Sequence, residues 1–408
     1  MHKRKNIKIF LYQSLMIALL LGFGKLYGSD IDWLGQHVAF PDVFRQNFYE
    51  TKQLIPEFLF NIGGGQNIYN FVYYGFLSPF FLLSYFLPFV DMTTYIMVVS
   101  VVCYLVSGQL FYFFFKRHFE ERLSFWTTII FSTLAPLTFH FHHHIMFVWY
   151  IPFFILALLG LERLFDKKKS GLFIISTFFI IMTNYYYSVG CLVFLFVYAI
   201  YLLLKKDKWS WKEFFRTVYL FAIPVLLSAV IILPTAYTLF GSGRSMGHVE
   251  TLQNLIIPSL MEYFYSTYSM GISAVVLFAI VGNFTSKTRN RADMFLNGFT
   301  LFLLVCPLFT YVLNGMLYVR GKVLIAYAIL ALYNFCQFIE KLHKKEINFK
   351  LTTIITSIYI VFCAIFGSST WLFGLVMMIE LAIALKWKHT KWCGLYAHWY
   401  LHLLLPLE

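Results

Sequence analysis

Charged residues are scarce in this chain, and acidic residues are the scarcer kind. Asp, Glu, Lys and Arg together make up 12% of the 408 residues, with 19 acidic against 32 basic side chains. Charged residues fill about 25% of a typical soluble domain. The composition therefore argues against a soluble enzyme or a soluble binding domain of useful size.

Cysteine is also sparse, and its spacing carries no pattern. The six cysteines are scattered, and none belongs to a C-x-x-C pair. This spacing argues against a disulfide framework or a zinc site. The formal net charge of +13 is divided among short basic clusters between apolar runs. That distribution is typical of the cytoplasmic loops of membrane proteins, so it predicts contact with anionic lipid and no nucleic-acid partner.

Long apolar runs take the place of the missing charge. The chain is 60% hydrophobic and 21% aromatic, with a mean hydropathy of +0.71. A membrane-spanning helix needs about 20 apolar residues. We interpret the first run, which follows basic residues, as a retained anchor rather than a cleaved signal peptide. Apolar runs lie near residues 7–27, 68–90, 93–115, 124–141, 143–162, 171–186, 187–204, 214–240, 268–284, 294–313, 322–340, 351–366 and 370–386.

Basic loops face the cytoplasm, and this rule decides which runs cross the membrane. The run at 7–27 leads out and the run at 93–115 returns to the basic pair Lys116 and Arg117. The run at 68–90 lies between them and therefore cannot cross. It also contains prolines, which interrupt helical hydrogen bonding. We interpret it as a re-entrant or interfacial segment.

The sequence thus predicts an all-α fold, a polytopic transmembrane helical bundle of about twelve spans with both termini in the cytoplasm. Residues 1–390 form the membrane domain, and a long first outer loop at 28–92 holds juxtamembrane or re-entrant helices. Residues 391–408 form a tail without an assignment. The same rule places the unusual polar clusters on the outer face, so function is expected there. These clusters are residues 30–32, 140–144, 184–187, 241–250 and 314–322.

Asp30 and Asp32 are acids placed just beyond the first span. In an extended segment, residues two apart point to the same side. A carboxylate at a membrane surface can accept a proton from a hydroxyl group or hold a divalent cation. The alternative interpretation is a solvated loop that ends a helix.

A histidine cluster and a glycine-rich turn each allow two interpretations. His140, His142, His143 and His144 are close enough in sequence to bind a metal. Successive residues on a helix point in different directions, so at most two of them would face one ligand. His140 and His143 are the candidate metal ligands, and polar residues lining an outer cavity are the favoured alternative. The turn at 61–67 has backbone amides that can approach a phosphate, although a simple flexible loop is the favoured interpretation.

Asn184 lies between two apolar runs, where an amide at membrane depth needs hydrogen-bond partners. The tyrosines that follow it, Tyr186 among them, are typical of a membrane interface. Arg244, Arg320 and Lys322 are cations on the outer side, against the usual bias. The forked donors of arginine suit a phosphate, so these cations predict binding of a lipid phosphate. The alternative is that they are counter-charges for acids of the outer loops.

The chain resembles the YfhO family of bacterial membrane proteins. No single passage decides the match, but the order and number of the passages make it specific. Members of this family are usually much longer, so this chain is expected to be a short or truncated member. The matching passages run from the first span to about residue 340 and are residues 29–37, 40–51, 61–65, 73–80, 184–187, 233–235, 244 and 314–322.

The resemblance implies a GT-C-type glycosyltransferase architecture, in which the first outer loop carries the essential acid. In this sequence that acid falls on Asp32 or Asp30, and we favour Asp32. The residues predicted to bind the substrate are Gln36, His37, Arg45, Asn184, Tyr186, Arg244, Arg320 and Lys322.

Resemblance to this family also implies a reaction. Its members are associated with the decoration of cell-wall polymers such as teichoic acids, with a sugar carried on undecaprenyl phosphate. We therefore predict a glycosyltransferase of the bacterial cell membrane that moves a sugar from a polyprenyl-phosphate-linked donor to a cell-wall polymer on the outer leaflet. A divalent cation is left open as a cofactor. The alternatives are a transporter or flippase for lipid-linked sugars, which the missing internal repeat disfavours, and a non-catalytic membrane scaffold.

Overall fold

Apolar runs fold into helices throughout the structure, a computed structural model that describes residues 2–22, 28–29, 32–56, 58–206, 208–241, 250–367 and 371–386. Helices are the expected solution because a backbone surrounded by lipid has to satisfy its polar groups internally. The prediction of a helical membrane protein is confirmed at this level.

Eighteen helices are numbered here in chain order. The first nine are α1 (His2–Gly22), α2 (Ala39–Thr51), α3 (Pro79–Ser84), α4 (Met92–Phe115), α5 (Glu121–Ser132), α6 (Ala135–His143), α7 (Ile151–Lys167), α8 (Gly171–Thr183) and α9 (Tyr185–Leu204). The others are α10 (Trp211–Leu227), α11 (Ala229–Gly241), α12 (Leu252–Ile256), α13 (Ala274–Phe284), α14 (Arg291–Val305), α15 (Pro307–Leu313), α16 (Ala328–His343), α17 (Phe349–Phe366) and α18 (Trp371–Lys386).

Five helical segments of the described chain are long and apolar enough to cross a membrane, and seven are if each bent pair counts as one span. The predicted number of about twelve spans therefore stays a prediction. The five segments are Met92–Phe115, Ile145–Lys167, Tyr185–Leu204, Gly321–His343 and Phe349–Phe366.

Two of the apolar runs are broken rather than continuous. The run at 214–240 divides into α10 and α11, which meet at 69°, and the run at 294–313 divides into α14 and α15, which meet at 87°. Pro224 lies inside α10, and Pro307 begins α15. Proline removes a backbone donor and crowds the preceding turn, which is the usual cause of a sharp kink. Whether each broken run crosses the membrane as one span is not decided by the bend, so these two spans stay predictions.

Irregular structure fills the first outer loop between α2 and α4. The apolar run at 68–90 forms a 3₁₀ turn over Ile68–Tyr74 and the six-residue helix α3, so no single helix of this segment is long enough to cross. A short antiparallel hairpin precedes it and pairs Phe58–Leu59 with Gln66–Asn67. Its turn contains Gly63, Gly64 and Gly65, all with positive φ. The glycine-rich turn at 61–67 is thus a hairpin loop, and the hairpin is a small exception to the all-α prediction.

Two segments form the centre of the bundle. Within their most apolar 18-residue stretches, 94% of residues are buried in Gly321–His343 and 89% in Ile145–Lys167, against 22% in Phe349–Phe366. The first two are therefore enclosed by other helices, whereas α17 is peripheral and presents apolar side chains outward. Such an exposed apolar face is expected of a helix that contacts lipid.

Buried amides join three of the inner helices. Asn283 of α13 donates to Asn297 Oδ1 of α14 at 3.3 Å and to the Asn334 carbonyl of α16 at 2.9 Å. Asn334 Nδ2 donates to Thr300 Oγ1 at 2.6 Å. Interhelical hydrogen bonds of this kind hold helices together where lipid offers no hydrophobic driving force.

Basic loops meet one another at one end of the bundle. Lys5 pairs with Glu121, and Arg117 pairs with Glu162 and Asp166. These contacts place α1 beside the start of α5, and the loop after α4 beside the end of α7. The cytoplasmic orientation of this end stays a prediction.

Candidate functional site

Asp32 begins the short helical segment Trp33–Val38 in the first outer loop. Its carbonyl accepts hydrogen bonds from the backbone N–H groups of Gln36 and His37, at 2.9 and 3.0 Å. Its carboxylate accepts a hydrogen bond from Gln36 Nε2, with 2.6 Å between Oδ1 and Nε2. Tyr74 donates its hydroxyl to Gln36 Oε1. The acid is therefore held in one orientation by a side chain that is itself held by a tyrosine.

Backbone strain marks the same acid. Asp32 has φ of 39° and ψ of −24°, in the left-handed region that residues other than glycine seldom adopt. Asp tolerates this region better than most side chains. Left-handed residues other than glycine cluster at functional sites, where the surrounding contacts maintain them. Asp30, the other predicted acid, lies outside the described residues.

His37 is buried beside Asp32 and has no hydrogen-bond partner for either ring nitrogen within the described part of the chain. Its ring stacks on Trp33, and its neighbours Tyr74 and His144 approach edge-on with ring centroids 5.9 and 5.4 Å away. A buried polar group without a partner is costly and calls for an explanation beyond packing. The arrangement fits a ring that bonds a ligand or ordered water in the working protein.

Burial lowers the pKa of His37 to about 3, with a smaller contribution from His144. In the unfolded chain the imidazole titrates near its ordinary value, so its stabilising contribution is full above that value and is lost as pH falls towards the folded pKa. As pH falls from 7 to 5, we expect the free energy of unfolding to decrease by about 2 kcal/mol because of His37.

Thermal unfolding of the purified protein in detergent between pH 7.5 and pH 5 measures this loss. His37→Gln should unfold with a weaker pH dependence than wild type, because the titrating ring is gone. His343→Gln, at an exposed position near the end of α16, should keep the wild-type dependence. Equal slopes in the wild type and His37→Gln would contradict the burial of a neutral ring.

Asp32 acts on both His144 and Tyr268, whereas Lys322 acts on His144 and Arg320 acts on Tyr268. Burial first, then His143 and Lys322, lowers the pKa of His144 to about 4, and Asp32 acts in the opposite direction. Burial and Asp32 raise the pKa of Tyr268, while Arg320 lowers it. The rings of His144 and Tyr268 lie with centroids 6.2 Å apart. Gly321, between Arg320 and Lys322, lies against the Tyr268 backbone, so the acid and the two cations approach the same pair of rings.

The segment at 314–322 that carries the cations is fastened at three points. Asn314 Nδ2 donates to the Arg320 carbonyl at 2.7 Å, and Tyr186 donates its hydroxyl to Asn314 Oδ1. The Val319 N–H donates to Glu250 Oε1 at 3.0 Å. Predicted residues Tyr186 and Arg320 are thus joined through Asn314.

Both cations lie against one tyrosine ring. Lys322 Nζ is 4.8 Å and the Arg320 guanidinium carbon 5.7 Å from the ring centroid of Tyr318. Although burial opposes it, hydrogen bonds with Lys322 and Tyr186, together with both positive charges, hold the pKa of Tyr318 below its usual value. Stacking on an aromatic face orients a cation without neutralising it, so both cations keep their attraction for an anion.

Asn184 caps a helix and fastens the outer loop at the edge of this region. Its Nδ2 donates to the Tyr73 carbonyl at 2.8 Å, and its Oδ1 accepts from the backbone N–H groups of Tyr186 and Tyr187. It caps the N-terminus of α9 and ties the first outer loop to that helix. A direct contact between Asn184 and a substrate stays a prediction.

Arg45 lies apart from the acid and the cations. Its guanidinium donates to the Val90 carbonyl at 2.8 Å and pairs with Asp42 at 3.2 Å. Its side chain is 7% exposed, which leaves it enclosed between α2 and the turn before α4. These contacts fasten the outer loop, and its predicted role in substrate binding stays a prediction. Arg244, the other predicted arginine, lies outside the described residues.

The histidine cluster does not assemble a metal centre among the residues that the structure describes. His140 Nε2 donates to the Thr267 carbonyl at 2.8 Å, and His143 Nδ1 donates to the Phe139 carbonyl at 2.9 Å. Each candidate metal ligand therefore has a backbone partner. His144, one residue further on, packs edge-on against His37, with ring centroids 5.4 Å apart.

Sequence reasoning missed three tyrosines of the site. Tyr74 orients Gln36, and the ring of Tyr318 contacts both cations. Asp32 and Arg320 shift the pKa of Tyr268 in opposite directions. Two of them had a signal, because Tyr74 and Tyr318 fall in passages that carry the family resemblance. Tyr268 had no such signal.

The arrangement joins a fixed carboxylate, two cations on an aromatic face and two buried histidines. A carboxylate of this kind can take a proton from a hydroxyl group, and paired cations can bind a phosphate and stabilise its charge. The site therefore contains the groups that acid–base chemistry beside a bound phosphate requires.

A model of the family described as "Bacterial membrane protein YfhO" matches residues 9–405, nearly the whole chain. The match also includes most of the tail at 391–408 that had no assignment from its sequence. No curated protein and no solved structure matches the chain. The resemblance found in the sequence is confirmed, and the chain belongs to the YfhO family of bacterial membrane proteins.

Proposed function

We propose that this protein is a membrane glycosyltransferase that moves a sugar from a polyprenyl-phosphate-linked donor to a cell-wall polymer, such as a teichoic acid. The observation that carries the proposal is a series of close contacts from the Asp32 segment to the two cations. The His37 ring packs on His144, with centroids 5.4 Å apart, and His144 packs on Tyr268, with centroids 6.2 Å apart. Gly321, between Arg320 and Lys322, lies directly against the Tyr268 backbone. Such a reaction needs a base for an acceptor hydroxyl and cations for a phosphate leaving group.

In the proposed reaction, Arg320 and Lys322 bind the phosphate of the donor. Asp32 takes the proton from an acceptor hydroxyl, whose oxygen attacks the anomeric carbon. The bond between that carbon and the phosphate oxygen breaks, and the phosphate leaves with the electron pair. Attack from the face opposite the leaving group inverts the anomeric configuration. Gln36 and Tyr74 position the base throughout, since they fix its carboxylate.

We extend the proposal to the architecture around the site. The protein would have a GT-C-type bundle of about twelve spans, the number given by the hydropathy and the basic loops. The N-terminus would lie in the cytoplasm and the site would open at the outer face of the bacterial cell membrane. The lipid tail of the donor would lie between spans. Asp30 and Arg244 stay candidates for the acid and for a phosphate ligand.

One observation favours a second candidate function, a transporter or flippase for lipid-linked sugars. Two pairs of helices, α10 with α11 and α14 with α15, are sharply bent. Discontinuous helices at two places are a feature of many secondary transporters. A transporter would bind the same phosphate through the same cations but would need no base. Replacement of Asp32 therefore distinguishes a transporter from a glycosyltransferase. A non-catalytic scaffold would need neither group.

A comparison of cells with and without the gene tests the proposal. Loss of the gene should remove a sugar from a cell-wall polymer, and the wild-type gene supplied on a plasmid should restore it. An unchanged sugar content in every cell-wall polymer would contradict the glycosyltransferase.

A further inference from the structure

A second cationic site lies at the basic end of the bundle, remote in sequence from the outer loops. It is a shallow cavity, open to solvent, between the end of α7 and the start of α10. The lining residues are Leu164, Phe165, Lys168, Glu213, Arg216, Thr217 and Leu220.

The single acid in this lining is already neutralised. Lys168 Nζ lies 2.5 Å from Glu213 Oε1, and Lys206 pairs with the other carboxylate oxygen of Glu213. Arg216, one turn further along α10, donates from Nη2 to the Lys168 carbonyl at 3.4 Å. Two lysines therefore pair with one carboxylate, and Arg216 beside them adds to the excess of positive charge.

The surrounding sequence strengthens this excess. Segments 163–169 and 205–216 together carry nine Lys and Arg residues against three Asp and Glu residues, a net charge of +6. Cations concentrated beside membrane-spanning helices attract anionic headgroups. Neither segment takes part in the proposed glycosyl transfer, so this charge has no use at the outer site.

Aromatic side chains place the cavity at the boundary between lipid and water. Trp209 and Trp211 are exposed on the same side of the bundle, with ring centroids 5.5 Å apart. Phe215 and Tyr219 follow on the exposed surface of α10. Exposed Trp and Tyr are typical of the headgroup level of a membrane. The cavity is therefore expected to lie at the level of the lipid headgroups.

We propose that this cavity binds one anionic phospholipid from the adjacent leaflet. Lys168 and Arg216 bind its phosphodiester, and the exposed Phe215 and Tyr219 of α10 contact the first part of an acyl chain. Net positive charge favours a lipid that is anionic overall above a zwitterionic one with the same phosphate. The bound lipid would join the end of α7 to α10, beside the contacts of Lys168 with Glu213 and Arg216.

Native mass spectrometry of the full-length protein, titrated with phosphatidylglycerol or phosphatidylcholine, tests the site. Arg216→Gln should weaken phosphatidylglycerol binding about fivefold, the usual effect of one basic residue at a membrane surface. Its binding of phosphatidylcholine should not change. Lys350→Gln, at an exposed position in the first turn of α17, is the matched control and should bind both lipids as wild type does.

The source of the phosphate is tested in the same titration. Soluble glycerol phosphate should fail to displace the lipid, because it lacks the chain that contacts Phe215 and Tyr219. Displacement by glycerol phosphate, equal binding of the two lipids, or wild-type binding by Arg216→Gln would each overturn the proposal. Thermal unfolding of Arg216→Gln without added lipid verifies that the variant is folded.

Discussion

Replacement of Asp32 by Asn is expected to lower sugar transfer by about 10²–10⁴-fold, the usual contribution of a general base. Asn keeps the size of the side chain and tolerates the left-handed backbone that this position requires. It can also keep a hydrogen bond with Gln36 after rotation of its amide. The variant therefore removes the negative charge with little change in the fold, and the loss should appear in complementation of cells that lack the gene.

The control for this variant is Glu50→Gln, which removes an exposed carboxylate of the same outer loop at the end of α2. It should complement as wild type does, with equal amounts of protein in the membrane. Asp30→Asn, alone and combined with Asp32→Asn, shows which of the two acids is needed. Full activity in the double variant would rule out both acids as the base.

The second large effect is on stability and concerns Glu162 of α7. Its carboxylate accepts from Arg117 Nε at 2.8 Å and from the Tyr198 hydroxyl at 2.9 Å, and it lies 2.5 Å from His118 Nε2. It thus joins α7, α9 and the loop after α4 while its own side chain is only 4% exposed. Removal of one partner from a buried ion pair leaves the others without compensation.

Glu162→Ala should lower the free energy of unfolding by about 3 kcal/mol, the lower end of the usual range because Arg117 is 41% exposed. Thermal or denaturant unfolding in detergent measures this loss. Asp166→Asn is the matched control, since Asp166 lies one turn further along α7 and is 63% exposed with Arg117 at 3.8 Å. The control should change stability by less than about 0.5 kcal/mol, and equal effects of the two variants would refute the buried network.

The helices were predictable where one apolar run ends in clear polar signals. The run predicted at 93–115 is α4, which begins after the capping residue Asp91 and ends at Lys116. Bends and the hairpin were not predictable in this way. Pro224 and Pro307 mark the bends, but a proline inside an apolar run is compatible with a mild kink or a full break. The packing of neighbouring helices decides between them.

The site was predictable in part for a similar reason. Asp32 and Gln36 lie four residues apart in one passage, so their contact follows from local structure. The contact of Gln36 with Tyr74 spans 38 residues and depends on how the outer loop folds back. The role of Arg45 was harder to predict. Its charge suggested a substrate ligand, but its partners are mainly backbone carbonyls more than 40 residues away in sequence. Hydropathy and charge alone cannot distinguish an arginine that binds a ligand from one that fastens a loop.

Sugar transfer by the purified protein in lipid vesicles, with a labelled polyprenyl-phosphate sugar as donor and a cell-wall polymer as acceptor, tests whether Asp32 acts as the base of a glycosyltransferase. Label should move to the polymer in the wild type, and Asp32→Asn should retain donor binding but lose transfer. Movement of the intact donor across the bilayer, unchanged by Asp32→Asn and without label in the polymer, would contradict this role of Asp32 and favour the transporter.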